Sequence, residues 1–205
     1  MPGRGLLISM EGGENSGKTT QTALLRDYLL SHGLDVLVVR EPGGTKLGEA
    51  LREILLDPGH ADMTPEAEAL LYAAARSQLT HSVIWPALER GTLVISDRYI
   101  DSSLAYQGYG LDLGVEKIRD LNLWVTGGIM PDLTVFFDVE IPKESDVADR
   151  IERRDDPYHR KVRQGYRCLA DREPDRFFVV DNCLSVEGVH DLVVSAVEDL
   201  LDRSK

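Results

Sequence analysis

Five short, continuously apolar runs separated by helix-patterned stretches predict an α/β fold, a parallel five-stranded sheet flanked by helices. Two further observations support it. A glycine-rich turn follows the first apolar run directly and leads into helical spacing, and the 205-residue length suits one well-buried core rather than two. The predicted strands are 6–10, 35–39, 92–96, 133–138 and 177–181. Their apolarity is continuous rather than alternating, as expected of strands covered on both faces.

The first strand, Leu6-Leu7-Ile8-Ser9-Met10, runs into Gly12-Gly13-Glu14-Asn15-Ser16-Gly17-Lys18-Thr19. This is the G-x-x-x-x-G-K-[ST] pattern in its strand–loop–helix setting. Its glycines let backbone N–H groups close around a polyphosphate, and the helix N-terminus adds the positive end of its dipole. Lys18 is suited to the β- and γ-phosphates and the Thr19 hydroxyl to Mg²⁺. The chain therefore reads as a nucleoside triphosphate binder. The helix after the loop presents Leu24, Leu25, Tyr28 and Leu29 on one face and ends at Gly33.

A second long helix is announced by Thr64-Pro65-Glu66, an N-cap followed by proline at the first helical position, and continues through Leu70, Leu71, Tyr72 and Arg76. Pro86 kinks this helix or opens a new one. No repeat, low-complexity tract or linker divides residues 1–205, so a single domain is expected. The polar stretch 140–165 carries Arg150, Arg153, Arg154, Arg160, Lys161 and Arg163, interrupted by Pro142 and Pro157. It reads as a solvated surface or as a mobile cover, a lid at about 140–160, that brings cations over a transferring phosphate.

The chain is 42 % hydrophobic and 28 % charged, ordinary for a soluble globular protein. Its net charge of −12 disfavours nucleic-acid binding, which usually shows as a basic excess. An anionic small substrate then requires a local arginine cluster. Cys168 and Cys183 lack metal-ligand spacing and read as free thiols in a reducing cytoplasm. No signal-peptide core precedes Gly12, and no apolar run approaches the ~20 residues of a membrane span.

In open α/β sheets ligands bind beyond the carboxyl ends of the strands. After the second strand stands Arg40-Glu41-Pro42-Gly43-Gly44-Thr45. After the third stand Asp97-Arg98-Tyr99 and then Asp101-Ser102-Ser103-Leu104-Ala105-Tyr106-Gln107-Gly108. Arg40 and Arg98 are candidates for bidentate phosphate contacts or for salt bridges at strand ends. Asp97 closes an apolar strand, where a carboxylate needs a cation such as Mg²⁺ or its water shell. Tyr72 and Arg76 share a helix face and would suit a planar base with a carbonyl acceptor. By themselves they read more readily as a core aromatic beside a surface arginine.

Together these residues resemble thymidylate kinases of the bacterial type. The likeness spans nearly the whole chain, through Glu11–Thr20, Arg40–Thr45, Leu70–Gln78, Asp97–Gly108, Gly128–Asp138 and Gln164–Tyr166. The resemblance implies a nucleoside monophosphate kinase-like fold with a short lid, and Mg²⁺-dependent transfer from ATP to dTMP, giving dTDP. It implies that Gly12 through Thr19 bind ATP and that Thr19 and Asp97 serve the metal. Tyr72 would stack on thymine and Arg76 would donate to the base carbonyl. Arg40, Arg52 and Arg98 would grip the dTMP phosphate, with Glu14 near the acceptor sugar. Ser103, Tyr106 and Gln107 would line the thymidine pocket, Tyr106 crowding the 2′ position.

In this type the catalytic arginine comes from the lid, and Asn15 stands where another type carries it in the loop. Asp149-Arg150-Ile151-Glu152 resembles the lid motif, so Arg150 is expected to join Lys18 and Arg98 in catalysis. Loss of such a cation typically costs ~10³-fold in rate. The chain departs from the family in a shortened stretch between Asp138 and Arg150, and in Leu111, where the family has arginine. A homodimer is implied by resemblance, through helices near 64–80. A guanine-reading Asn-Lys-x-Asp is absent, which excludes a switch GTPase. The remaining alternatives are a deoxynucleoside kinase, disfavoured by the arginines, and a catalytically weak nucleotide-binding protein.

Overall fold

The computed structural model describes residues 4–13, 15–139, 149–181 and 184–204. Five parallel strands form one sheet: β1 (Leu7–Gly12), β2 (Val36–Arg40), β3 (Leu93–Asp97), β4 (Leu133–Asp138) and β5 (Phe177–Asp181). Their order is β2-β3-β1-β4-β5, with all four pairings parallel. β1 outruns its apolar segment because its ladder to β4 continues through Glu11 and Gly12.

The helices are α1 (Lys18–Ser31), α2 (Lys46–Leu56), α3 (Pro65–Leu79), α4 (Trp85–Glu89), α5 (Ile100–Ser103), α6 (Val115–Thr126), α7 (Asp156–Arg172) and α8 (Val186–Arg203). Successive strand residues point to opposite faces of the sheet. Ile8, Met10, Ile95, Val135 and Phe137 pack with Leu25 and Leu29 of α1 and with Val189, Val193 and Val197 of α8. Leu7, Val94 and Phe136 join Leu79, Ile118, Tyr166 and Leu169 from α3, α6 and α7 on the other face. Two covered faces account for the unbroken apolarity of the strands.

Side-chain caps start four of the helices. Thr45, Thr64, Asp155 and Ser185 accept from the backbone N–H groups of Gly48, Ala67, Tyr158 and Gly188. Pro157 therefore does not interrupt a polar surface: it sits in the first turn of α7, where its missing N–H costs nothing. Only the part of the expected lid after residue 148 is described, and from Asp156 onward it is helix. At the end of α3 the chain widens into a π-helical turn, Thr80–Ile84, and α4 then begins with Pro86 in its first turn. A second π-helical turn, Leu104–Gly110, follows α5 and packs against α7.

A buried ion pair locks the sheet to the region after β3. Asp101 is fully buried and accepts from both terminal nitrogens of Arg176, at 2.6 and 2.8 Å, and from Thr134 at 2.7 Å. Removing one partner of such a pair strands the other charge in the interior. Arg176→Met should lower the unfolding free energy by about 3–5 kcal/mol. Urea denaturation checks this, and a loss below about 1 kcal/mol, the range of an exposed pair, would count against it.

Candidate active site

The phosphate loop joins β1 to α1 at the carboxyl end of the sheet. Gly12 has φ +144°, and a Cβ there would lie 2.7 Å from the Phe137 carbonyl oxygen. Gly17 caps α1 with φ +88°, a left-handed conformation that glycine adopts without steric cost. Lys18 is buried, and its ammonium donates to the Gly13 carbonyl at 2.5 Å. Asn15 has φ +54° and, with Gly13, lines the adjoining cleft. Glu14 lies outside the described residues.

Beyond β3 the chain turns sharply at Arg98, whose φ of +71° is rare for a residue with a side chain. Three contacts hold the turn: Arg98 N–H to the Met10 carbonyl at 3.1 Å, Ser96 Oγ to the Arg98 carbonyl at 2.5 Å, and Tyr99 N–H to Glu11 Oε1 at 2.8 Å. Strain of this kind persists where surrounding structure over-determines it. The turn aims the Arg98 guanidinium over the Tyr106 ring, 5.3 Å from its centroid, and within 3.3 Å of Ser102 Oγ.

Glu11 organises the same corner. It is fully buried and accepts from Ser9 Oγ (2.6 Å), Ser102 Oγ (2.6 Å) and Tyr166 OH (2.8 Å), besides the Tyr99 N–H. Burial, reinforced by Asp101, raises its pKa above the ordinary carboxylate value, while Ser102, Ser9 and Arg98 pull it back.

Arg76 is not the surface arginine that its sequence neighbourhood favours. It is 1 % exposed, with Nε on Glu41 at 2.7 Å, Nη1 on Ser103 Oγ at 2.8 Å and on Asn122 Oδ1, and Nη2 on the Tyr99 carbonyl at 2.9 Å. These contacts occupy all but one of its N–H groups among the described residues. The Arg76 side chain also borders the cleft.

That cleft, about 1410 Å³, is lined by Arg52, Tyr72, Arg76, Arg98, Ser103, Tyr106 and Gln107. Seven of the residues expected to bind the acceptor thus meet at one place. Arg40 does not: it is exposed and paired with Glu49 at 3.2 Å, the strand-end salt bridge that its position also allowed. Arg150 is likewise off the wall. It is buried, its Nε donates to the Leu55 carbonyl at 2.8 Å, and its Nη2 stands 2.7 Å from Glu68 Oε2. A buried guanidinium with Nε hydrogen-bonded and Nη2 ion-paired without a hydrogen bond is not presented to the cleft, whereas Arg153 and Arg154 line it. Thr19 lies in the first turn of α1, and Asp97 ends β3 with no hydrogen bond to its carboxylate from the described residues.

Glu11, Glu41, Glu68, Asn122 and Tyr166 are the site residues that sequence reasoning missed. For Glu68 a signal existed, since positions 68, 72 and 76 share one face of α3. Asn122 carried none.

A phosphate loop, an arginine beyond β3 and a lid-side arginine segment around one cleft define a P-loop phosphotransferase of the nucleoside monophosphate kinase class. The comparisons narrow this. The family model described as thymidylate kinase matches residues 10–193. A thymidylate kinase of Caldanaerobacter subterraneus is 47 % identical, with 98 % of this chain and 99 % of the relative covered. One from Exiguobacterium sp. is 46 % identical, covering 97 % of both. The crystal structure of thymidylate kinase from Ehrlichia chaffeensis superposes with a TM-score of 0.79 at 34 % identity, covering 96 % of this chain and 99 % of that one. The chain belongs to the thymidylate kinase family.

Burial pushes the Glu41 carboxyl up from 4.5 to about 7, against the pull of Arg76. A folded-state pKa above the unfolded one means that the folded state favours the protonated form. That contribution is complete below pH 4.5 and is lost as the pH rises through about 7. Relative to Glu41→Gln, the wild type should therefore lose unfolding free energy across this window. A difference independent of pH would mean that Arg76 keeps Glu41 ionised throughout.

Proposed function

We propose that this thymidylate kinase family member transfers the γ-phosphoryl group of ATP to dTMP, with the donor on the phosphate loop and the acceptor in the cleft. The observation that carries the acceptor assignment is the arrangement around Arg76. Its unspent N–H lies on a guanidinium immobilised by Glu41, Ser103, Asn122 and Tyr99, one helical turn from Tyr72. Such a fixed donor beside an aromatic ring suits a pyrimidine base that offers a carbonyl.

Arg98, with Arg52 beside it, holds the acceptor phosphate, and Tyr106 excludes a 2′-hydroxyl. The acceptor is already an anion, so the site needs no general base; positioning and charge stabilisation carry the reaction. Lys18 steadies the donor phosphates. The cation over the transferring group is assigned to Arg153, with Arg154 next to it, because both line the cleft and Arg150 does not.

Thr19 and Asp97 are the residues that would hold Mg²⁺. No cluster of three or more His, Cys, Asp or Glu side chains suited to a metal occurs among the described residues. Two protein ligands at most fits Mg²⁺, which takes the rest of its shell from phosphate oxygens and water. When bound, the ion neutralises charge on the transferring phosphates.

A homodimer is supported by apolar side chains left exposed on neighbouring helices: Ile54 on α2, Leu70 on α3 and Trp124 on α6, the last 79 % exposed. Apolar surface of this kind marks interfaces. The proposed compartment is the cytoplasm, where ATP and thymidine nucleotides occur together. Among the described residues no helix is long and apolar enough to cross a membrane.

A coupled ADP-release assay over dTMP, dUMP, UMP, CMP and thymidine should show a clear preference for dTMP; equal rates with UMP would sink the acceptor assignment. Arg153→Ala should lower kcat by about 10²-fold or more with little change in dTMP KM. A larger kcat loss in Arg150→Ala than in Arg153→Ala would return the cationic role to Arg150. Sedimentation of wild type should report a dimer and of Leu70→Glu/Trp124→Glu a monomer.

A further inference from the structure

Glu68 lies on α3 one turn before Tyr72, wholly buried. Its Oε1 accepts from Gln107 Nε2 at 2.9 Å. Its Oε2 lies 2.7 Å from Arg150 Nη2 and 2.7 Å from Arg154 Nη2. The partners come from two separate parts of the cleft, the lid-side segment and the π-helical turn that carries Tyr106 and Gln107. Arg150 is held further by its N–H and Nε on the Leu56 and Leu55 carbonyls, at 3.1 and 2.8 Å, which are last-turn acceptors of α2. Arg154 lies over the Tyr158 ring, 4.5 Å from its centroid, at the start of α7.

We infer that Glu68 is a positioning residue for phosphoryl transfer. It pins the two arginines that flank Arg153, and so sets where the lid cation stands, while holding the acceptor-side Gln107 by its other oxygen. Packing alone does not call for a carboxylate here, because an apolar side chain of similar volume fills an interior at least as well as a buried ion pair. What the carboxylate adds is geometry. Arg150 and Arg154 lie four residues apart on a short irregular segment, and a single oxygen draws both guanidinium groups to one point. The Arg153 side chain between them then has a fixed origin at the cleft wall. A displacement of about 1 Å at such a cation is enough to cost roughly 10²-fold in rate.

The inference rests on the dTMP kinase reading, and the test separates the two. Glu68→Gln keeps the shape and an acceptor oxygen but removes the charge that gathers the arginines. Purified wild type and variant are compared by backbone hydrogen exchange, by thermal unfolding and by turnover of ATP with dTMP. The expected result is faster exchange confined to the segment 149–156, and a kcat lowered by about tenfold to a hundredfold with dTMP KM changed less than about threefold. Glu68→Asp should recover part of the kcat. Exchange that rises uniformly over the molecule would make Glu68 a general stability residue and overturn the inference. An unchanged or raised kcat in a folded Glu68→Gln would overturn it too, the latter by showing that the pair restrains the lid. Failure of the wild type to use dTMP would strike the acceptor assignment, while the exchange pattern would still decide whether Glu68 fixes the segment.

Discussion

A carboxylate buried one residue before the phosphate loop sets the arrangement of the whole site. Glu11 cannot remain in the interior unless donors come to it, and they come from four places: Ser9 within β1, the Tyr99 N–H after β3, Ser102 in α5 and Tyr166 in α7. Partners up to 155 positions away along the chain are drawn to Glu11. The turn that aims Arg98 is one consequence, because the Tyr99 N–H that Glu11 accepts directly follows the strained residue. The docking of α7 is another, with Tyr166 stacked on Phe136 of β4 at 4.7 Å. The phosphate loop, Arg98 and α7 therefore share one anchor.

The same principle recurs across the cleft. Arg76 is buried because Glu41, Ser103, Asn122 and the Tyr99 carbonyl satisfy it, and Asp101 because Arg176 and Thr134 do. A buried polar group with its partners in place is rigid, and rigidity is what a site that works by positioning requires. Catalytic architecture and interior electrostatics are here the same set of contacts.

What was legible in the sequence follows from what is local. The strands announce themselves by continuous apolarity, the phosphate loop by glycine spacing, and α3 by Thr64-Pro65. The helix α7 was not delimited: Tyr158, Val162, Tyr166 and Leu169 stand at helical intervals, but its many charges masked the period. The choice of partner by a charge was not legible. Arg76 meets Glu41, Ser103 and Asn122 across 35, 27 and 46 positions, and nothing near it in the chain distinguishes that from a surface arginine. Arg40 and Arg150 show the converse, since each matches a phosphate-binding pattern and each stands beside a glutamate in the structure. Pattern identifies the cation, and only the fold says which anion it meets.

The spacing of Glu68, Tyr72 and Arg76 has a metric side. Helical geometry fixes the rise from the first to the last at roughly 12 Å, about the span of a single mononucleotide. With Arg76 bordering the cleft at one end and Glu68 tied to the lid-side segment at the other, α3 acts as a rigid spacer between the two. The distance between the cleft and the lid-side arginines is thus carried by helical pitch rather than by the reach of any one side chain.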